Sequence, residues 1–400
     1  MQQSSNSSWK RWRPLKARNF DSLMRPIFFF SYLLGLFPYK IIIMKPFKIH
    51  FSKVDYIVSG VITMVYTIYV MVILYQVNFS GTLEFDSTPG LLQSNFYTIL
   101  GFCSTITTFL FSTPRLHLLQ SLSKVSARLP PEFFNRISQF VHAKDMFIFT
   151  FLVGQCPNVY SNDISRCLAK INWLYSTVVV FLMDSLYMNC VCVLKICYEY
   201  IGQNLTEVRG QLKGDKPHLL RRVYHEENNP LLLMQIRSSM RHHLEISASL
   251  VTLNDTFTLQ LLITVTMTFI EVTFSLYFFL LHRRNEKGIN LELQIWYSYF
   301  STSILYYSIK FLLIIFVCEM SRAKALKLRE IVYELILSTN DTSVRTELQL
   351  FSQQLMQLED TFTAKGFNID TSLLTMIIGS ISTYLLILIQ FLITSKPCET

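Results

Sequence analysis

The chain has 400 residues, of which 51% are hydrophobic and only 16% charged; soluble domains carry roughly 25% charged residues, so an ordinary soluble globular protein is excluded. The formal net charge of +9 comes from Lys and Arg that lie in polar segments between apolar runs and not along one periodic face, which makes it a topology signal and no nucleic-acid surface. Eight cysteines without a CxxC pair sit mostly in or beside apolar runs and read as free, small apolar side chains.

The composition predicts an all-α membrane protein, and the apolar runs set its order. Residues 1–55 are expected to form a cytoplasmic N-terminal segment with an interfacial helix, in which Ile27 to Met44 is broken by Pro38 and Lys40. A span needs about 20 helical residues to cross a hydrocarbon core of ~30 Å, so this stretch is an interfacial or partly buried lead-in. With no small-residue cleavage site after it, a signal peptide is not expected. Spans follow at Tyr56 to Gln76, at Leu91 to Ser112 before Pro114, and at Met146 to Val159, the weakest because Lys144, Asp145 and Pro157 crowd it. Four more are predicted at Trp173 to Leu194, Phe257 to Leu281, Trp296 to Val317 and Leu373 to Thr394.

Cytoplasmic flanks accumulate Lys and Arg. With seven spans, 29 of the 36 cations fall on the side of the N-terminus and six on the other, with Lys310 inside a span. The N-terminus is therefore expected in the cytoplasm and the C-terminus outside. Dropping the third span erases this bias. The inner segments carry their own helical stripes: Leu233, Ile236, Met240, Leu244 and Leu250 run into the fifth span, and Leu348, Phe351, Leu355, Leu358 and Phe362 repeat before the last. Residues 56–320 thus hold the first six spans, 321–368 cytoplasmic helices, and 369–400 the last span with a short outer tail. Gly210 to Pro230, with Gly214 and Pro217, reads as a flexible loop.

No nucleophile elbow, zinc-protease helix, phosphate-binding loop or dinucleotide motif is present, so no catalytic residue, metal site or cofactor is expected. His242 and His243 are adjacent and point about 100° apart on a helix, which reads as a solvated face. Asp184, Glu271 and Lys310 lie inside spans, where an ionisable group needs a partner or a function. Lys310 can neutralise either acid in the bundle, or any of the three can serve a ligand pocket or ion path. Trp173 and Tyr175, and Trp296, Tyr297 and Tyr299, cluster at predicted outer span ends, as an interfacial belt or as the wall of an outward cavity for a small amphipathic or polyhydroxy ligand. Asn78 heads an outer-face sequon and is a glycosylation candidate. In the last span Gly379 and Ser380 offer a helix break, and Thr383, Ile387 and Gln390 share a face.

Thr383-Tyr-Leu-Leu-Ile-Leu-Ile-Gln-Phe391 resembles the TYhhhhhQF signature, with h hydrophobic, that ends insect gustatory receptors. Lys365-Gly-Phe before it, Arg25-Pro-Ile, Gly35-Leu-Phe-Pro38 and the His243-Leu stretch leading to Asn254 are similar to that family too. The resemblance implies a ligand-gated, non-selective cation channel in the plasma membrane of a sensory neuron. It implies a homotetramer, or a hetero-oligomer with related receptors, opened by a small tastant such as a bitter compound or fructose. By motif position Gln390 and Phe391 are gate residues, supported by Thr383 and Tyr384; the shared face of the last span adds Ile387 to the pore, and the in-span charges and aromatic clusters give Trp173, Asp184, Glu271, Trp296, Tyr297 and Lys310 as ligand-pocket candidates. Leu385 stands where disaccharide receptors of the family often carry an acid, which counts against that branch. A G-protein-coupled receptor, the alternative, predicts an outside N-terminus.

Overall fold

A computed structural model describes residues 16–37, 39–42, 48–81, 83, 88–159, 163–214, 230–285, 291–339, 341–358 and 360–394. The described chain is helical nearly throughout: α1 (Phe20–Leu33), α2 (Lys53–Asn78), α3 (Thr88–Leu110), α4 (Ser112–Ser126), α5 (Pro131–Gly154), α6 (Ile164–Gly214), α7 (Pro230–Asn285), α8 (Leu291–Ser338), α9 (Thr342–Gln357) and α10 (Thr371–Thr394). Two short hairpins complete it, β1 (Tyr39–Ile42) with β2 (Lys48–Phe51), and β3 (Thr363–Ala364) with β4 (Phe367–Asn368). The predicted lead-in therefore resolves into α1 and the first hairpin.

The long helix α6 is the axis of the bundle. All residues from 179 to 194 are buried, because that stretch is apolar on every side, the pattern of a helix enclosed by others. Helices α7 and α8 pack along it, α3 fits against α6 and α7, and α2 lies outside α3. At 51, 56 and 48 residues, α6 to α8 are about 77, 84 and 72 Å long. They project far beyond a ~30 Å hydrocarbon layer, as the inner stripes predict. The projection of α6 includes residues 210–214, which correct the start of the expected loop; the rest of that loop lies outside the described residues.

Among the described residues, α2, α6, α7, α8 and α10 are each long and apolar enough to cross a membrane, and α3 with α4, bent by 61° at their junction, adds a sixth. The predicted third span falls largely within α5, which starts at Pro131 and ends at Gly154, before Pro157, and which is not among the helices that meet this measure. The buried Lys144 pairs with Asp145, whose other oxygen accepts from Asn189 Nδ2 of α6 at 3.1 Å. That pairing offsets part of the cost of two charges that hydropathy counts in full.

Where α7, α8 and α9 meet the lead-in to α10, the expected solvated histidines are instead enclosed. His242 and His243 are 4% and 0% exposed. Burial, then the charge of Arg128, pushes His242 below its ordinary pKa. His243 Nδ1 faces Gln354 Nε2 at 3.0 Å, and its Nε2 lies 3.5 Å from Asp360. Asp360 also accepts from the Tyr198 hydroxyl at 2.7 Å and from Ser247 at 3.3 Å. Two turns beyond Ser247, Asn254 donates to the Thr361 carbonyl at 2.9 Å and accepts from the Thr363 amide at 3.3 Å. The β3–β4 turn requires Gly366, at φ +100°, and Asp370 then caps α10 by accepting from the amides of Ser372 and Leu373. Contrary to the expected break, α10 is continuous through Gly379, since the hydroxyls of Ser380, Ser382 and Thr383 bond back to carbonyls four residues earlier and leave the backbone ladder intact.

Helices α3 and α6 approach closely at Gly101, where an added Cβ meets Ser176 Oγ at 2.5 Å and its Cβ at 2.6 Å. Gly101→Val is expected to lower the stability of the detergent-solubilised protein by about 1–3 kcal/mol. Gly210→Ala, whose Cβ meets nothing within 4 Å, is expected to leave it unchanged or slightly raised. Thermal unfolding followed by fluorescence checks both.

Candidate functional site

Two acids stand at different levels inside the bundle, and their surroundings differ. Asp184 of α6 and Lys310 of α8 are both fully buried, with Lys310 Nζ 2.9 Å from Asp184 Oδ2. Thr264 of α7 donates to the other Asp184 oxygen at 2.7 Å. The ammonium also lies 5.2 Å from the ring centres of both Tyr306 and Tyr307, close enough for cation–π attraction. Of the two acids open to Lys310 from sequence, the geometry selects Asp184, and the pair joins α6, α7 and α8 at one level.

Seven residues beyond Thr264 on α7, about 10 Å along the axis, Glu271 is 3% exposed. Its Oε2 accepts from Gln93 Nε2 of α3 at 3.1 Å. Ile270, the neighbour of Glu271 on α7, packs with Phe274, Tyr277, Phe300 and the partly buried Tyr299. Tyr97 is the hub of this level: its hydroxyl bonds to Thr177 and to the Trp173 carbonyl and accepts from Tyr307 at 3.2 Å. Trp173 stands edge-on to the Tyr97 ring, 6.3 Å between centres, and its indole N–H donates to Thr98 at 3.0 Å. Nearby, Tyr66 of α2 bonds to Ser176 at 2.8 Å. Helices α3, α6, α7 and α8 thus enclose an acidic, hydroxyl-bearing aromatic cluster near the end of the bundle where α3 and α8 begin.

The structure brings Trp173 and Glu271 into this cluster and places Asp184 and Lys310 one level away, linked through Tyr307, whose ring meets the ammonium and whose hydroxyl meets Tyr97. Helix α8 covers Trp296 and Tyr297, but their side chains lie outside those described, as does that of Phe391 on α10. Gln93, Tyr97, Thr264 and Tyr307 were not singled out from sequence, because neutral polar residues do not stand out in apolar runs. The available signal was spacing: Gln93 and Tyr97 are one turn apart, and Tyr306 and Tyr307 lie one turn before Lys310.

The predicted pore residues are apart from this cluster. Helix α10 packs mainly on α7, where Tyr384 meets Phe269 edge to face at 5.5 Å. Ile387 is 51% exposed, and Gln390 lies on the exposed surface of the single chain. A cavity of about 360 Å³ separates α10 from α7 and α8, lined by Val265, Phe269, Phe311, Leu373 and Met376 and reached by Thr264. Its wall is almost wholly apolar, and the acidic aromatic cluster lies elsewhere. Asn78, the glycosylation candidate, is the last residue of α2. Its amide nitrogen, which a glycan would need, donates to the Leu74 carbonyl and to Asn95, both at 2.9 Å.

A family model described as 7tm chemosensory receptor matches residues 24–395. Two Drosophila melanogaster proteins named as gustatory receptors are similar in part. That named 28b is 35% identical over 159 residues, covering 39% of this chain and 34% of its own; that named 28a is 28% identical over 151 residues, covering 37% and 34%. The matched stretch thus spans about a third of the length of these curated relatives. The fold is similar to the insect olfactory receptor OR5 from Machilis hrabei. In complex with eugenol that receptor aligns with a TM-score of 0.69 at 12% identity, over 93% of this chain and 98% of that one. Without ligand the TM-score is 0.65 at 13% identity, over 92% and 97%.

Lys310→Met leaves Asp184 buried and unpaired, and is expected to cost about 3–5 kcal/mol, seen as loss of surface expression. The double variant Lys310→Met with Asp184→Leu removes both charges and is expected to recover most of it. Surface biotinylation of the single and double variants distinguishes a paired structural role from independent ones.

Proposed function

This chain belongs to the 7tm chemosensory receptor family, and on that premise we propose that it is a gustatory receptor that works as a ligand-gated, non-selective cation channel in the plasma membrane of a sensory neuron. It crosses the bilayer seven times, with α5 as the third span, its N-terminus inside and its C-terminus outside, the arrangement that the distribution of Lys and Arg favours. A small tastant binds among α3, α6, α7 and α8, in a pocket open to the outside. Four copies, identical or drawn from related receptors, surround a pore walled by α10.

The observation that carries this reading is the state of α10. It is among the most apolar helices, it turns the hydroxyls of Ser380, Ser382 and Thr383 to its own backbone, and it is tied at its start by the Asn254, Asp360 and Asp370 contacts. Beyond those ties most of its surface is open in the single chain, including Tyr384, Leu386 and Ile387. A helix clamped at one end and exposed along the rest suits assembly around an axis, where copies of Ile387 and Gln390 face one another across a narrow path that gates by dewetting. The clamp also gives a route from pocket to pore. Thr264 bonds Asp184 on one side and lines the cavity beside α10 on the other, so a shift of α7 reaches both.

In cells expressing only this chain, tastant panels are expected to evoke a cation current. Gln390→Ala and Phe391→Ala are expected to change relative ion permeability or to shift the half-activating concentration about 5-fold or more. Whole-cell recording checks this, and tastant-evoked current indifferent to both substitutions contradicts the pore assignment. A calcium response that needs a co-expressed G protein, without current in excised patches, favours a seven-helix receptor that is not itself a channel.

A further inference from the structure

The difference between the two acids identifies the kind of ligand. Asp184 has Lys310, and Glu271 has no cation partner among the described residues. Its Oε1 has no hydrogen-bond partner either, although the residue is 3% exposed. An acid held that way in a membrane bundle is costly unless a proton or a cation neutralises it. The groups around it are aromatic: Gln93, which donates to it, stands one turn from Tyr97 on α3, Tyr97 accepts from Tyr307, and Ile270, next to Glu271 on α7, packs with Phe274, Tyr277, Phe300 and Tyr299. Aromatic side chains clustered with a carboxylate are the chemistry that recognises an organic ammonium group, by cation–π attraction combined with a charge pair. A polyhydroxy ligand needs free donors and acceptors in number, and here the hydroxyls of Tyr97, Thr98, Thr177 and Tyr307 are already engaged with one another or with Trp173.

We propose that the Glu271 cluster takes an organic cation, an amine or quaternary ammonium on an apolar body, with Glu271 as its counter-ion and Tyr97, Tyr299 and Tyr307 as its aromatic cage. The proposal rests on reading this cluster as the tastant pocket, and it narrows that pocket to positively charged ligands. Gln93 holds the carboxylate towards the rings and acts as a positioning residue. Lys310 lies against the ring of Tyr307, with its charge offset there by Asp184.

Benzyltrimethylammonium and neopentylbenzene have nearly the same shape and differ by one positive charge, so they separate charge recognition from apolar fit. With the purified full-length protein in nanodiscs, calorimetry is expected to show the ammonium binding and the neutral isostere binding at least about 30-fold more weakly, the lower range for loss of one partner of a buried charge pair. Glu271→Gln, which keeps the shape, is expected to abolish that preference. Equal binding of the two compounds, no binding of the ammonium, or an unchanged preference in Glu271→Gln overturns the proposal. If Glu271→Gln fails to accumulate, Tyr299→Leu removes one cage wall and is expected to weaken the ammonium severalfold with the isostere unaffected; equal weakening of both overturns it. Recording from the same protein keeps the two readings apart, since ammonium binding without current supports the cation site and contradicts the channel.

Discussion

Every polar group that enters the hydrocarbon layer must find its partner inside the protein, and the contact of Asp184 with Lys310 is where that constraint organises the bundle. Neither residue has any solvent exposure, and together with Thr264 they fix the relative register of α6, α7 and α8. Once α8 is set against α6 in that register, Tyr307, one turn from Lys310, falls beside Tyr97 of α3. The aromatic cluster is thus a consequence of where the buried charge pair lies. The same constraint explains the many Ser and Thr side chains that bond to carbonyls one turn back, such as Thr105, Thr108, Thr268 and Thr273. They satisfy themselves locally and let helices pack as if apolar.

Two of the places that depart from this pattern bear on the proposed function. Glu271 leaves one carboxylate oxygen without a partner among the described residues, inside an aromatic enclosure. Helix α10 satisfies its polar groups but leaves its apolar surface largely uncovered by the rest of the chain. On the function proposed above, the first is a site for a ligand and the second a face for other copies. Between them run α7, which carries Glu271, Thr264 and Asn254, and the hairpin that Asn254 ties to the start of α10. A single long helix thereby touches the proposed pocket, the buried charge pair and the entry to the proposed pore wall.

Much of this architecture was legible in the residues. Apolar runs located α2, α3, α6, α7, α8 and α10, the stripes around Ile236 and Phe351 foretold the first part of α7 and α9, and an intramembrane lysine demanded an acid. What escaped was whatever depends on contacts between distant segments. The weak third run hid a helix that begins at Pro131, because the apparent cost of Lys144 and Asp145 is offset by their pairing and by Asn189 across the gap to α6. His242 and His243 read as solvated since nothing local announces that Asp360, over a hundred residues later, covers His243. Gly379 and Ser380 promised a break that hydrogen bonds within α10 do not leave room for. In the site, charge drew the eye to Glu271 and left Gln93 and Tyr97 unnoticed, although these neutral residues determine what surrounds it.

The claim on which the account turns is that α10 faces copies of itself while α2, which also exposes apolar residues, faces lipid. Oxidative cross-linking of single cysteines in intact membranes tests it most directly, because a disulfide forms only between Cα atoms about 4.4–6.8 Å apart. Ile387→Cys on α10 and Met64→Cys on α2 are both exposed positions in the single chain. The account predicts copper-phenanthroline dimers for Ile387→Cys and monomers for Met64→Cys; dimers at Met64 with none at Ile387 would contradict it.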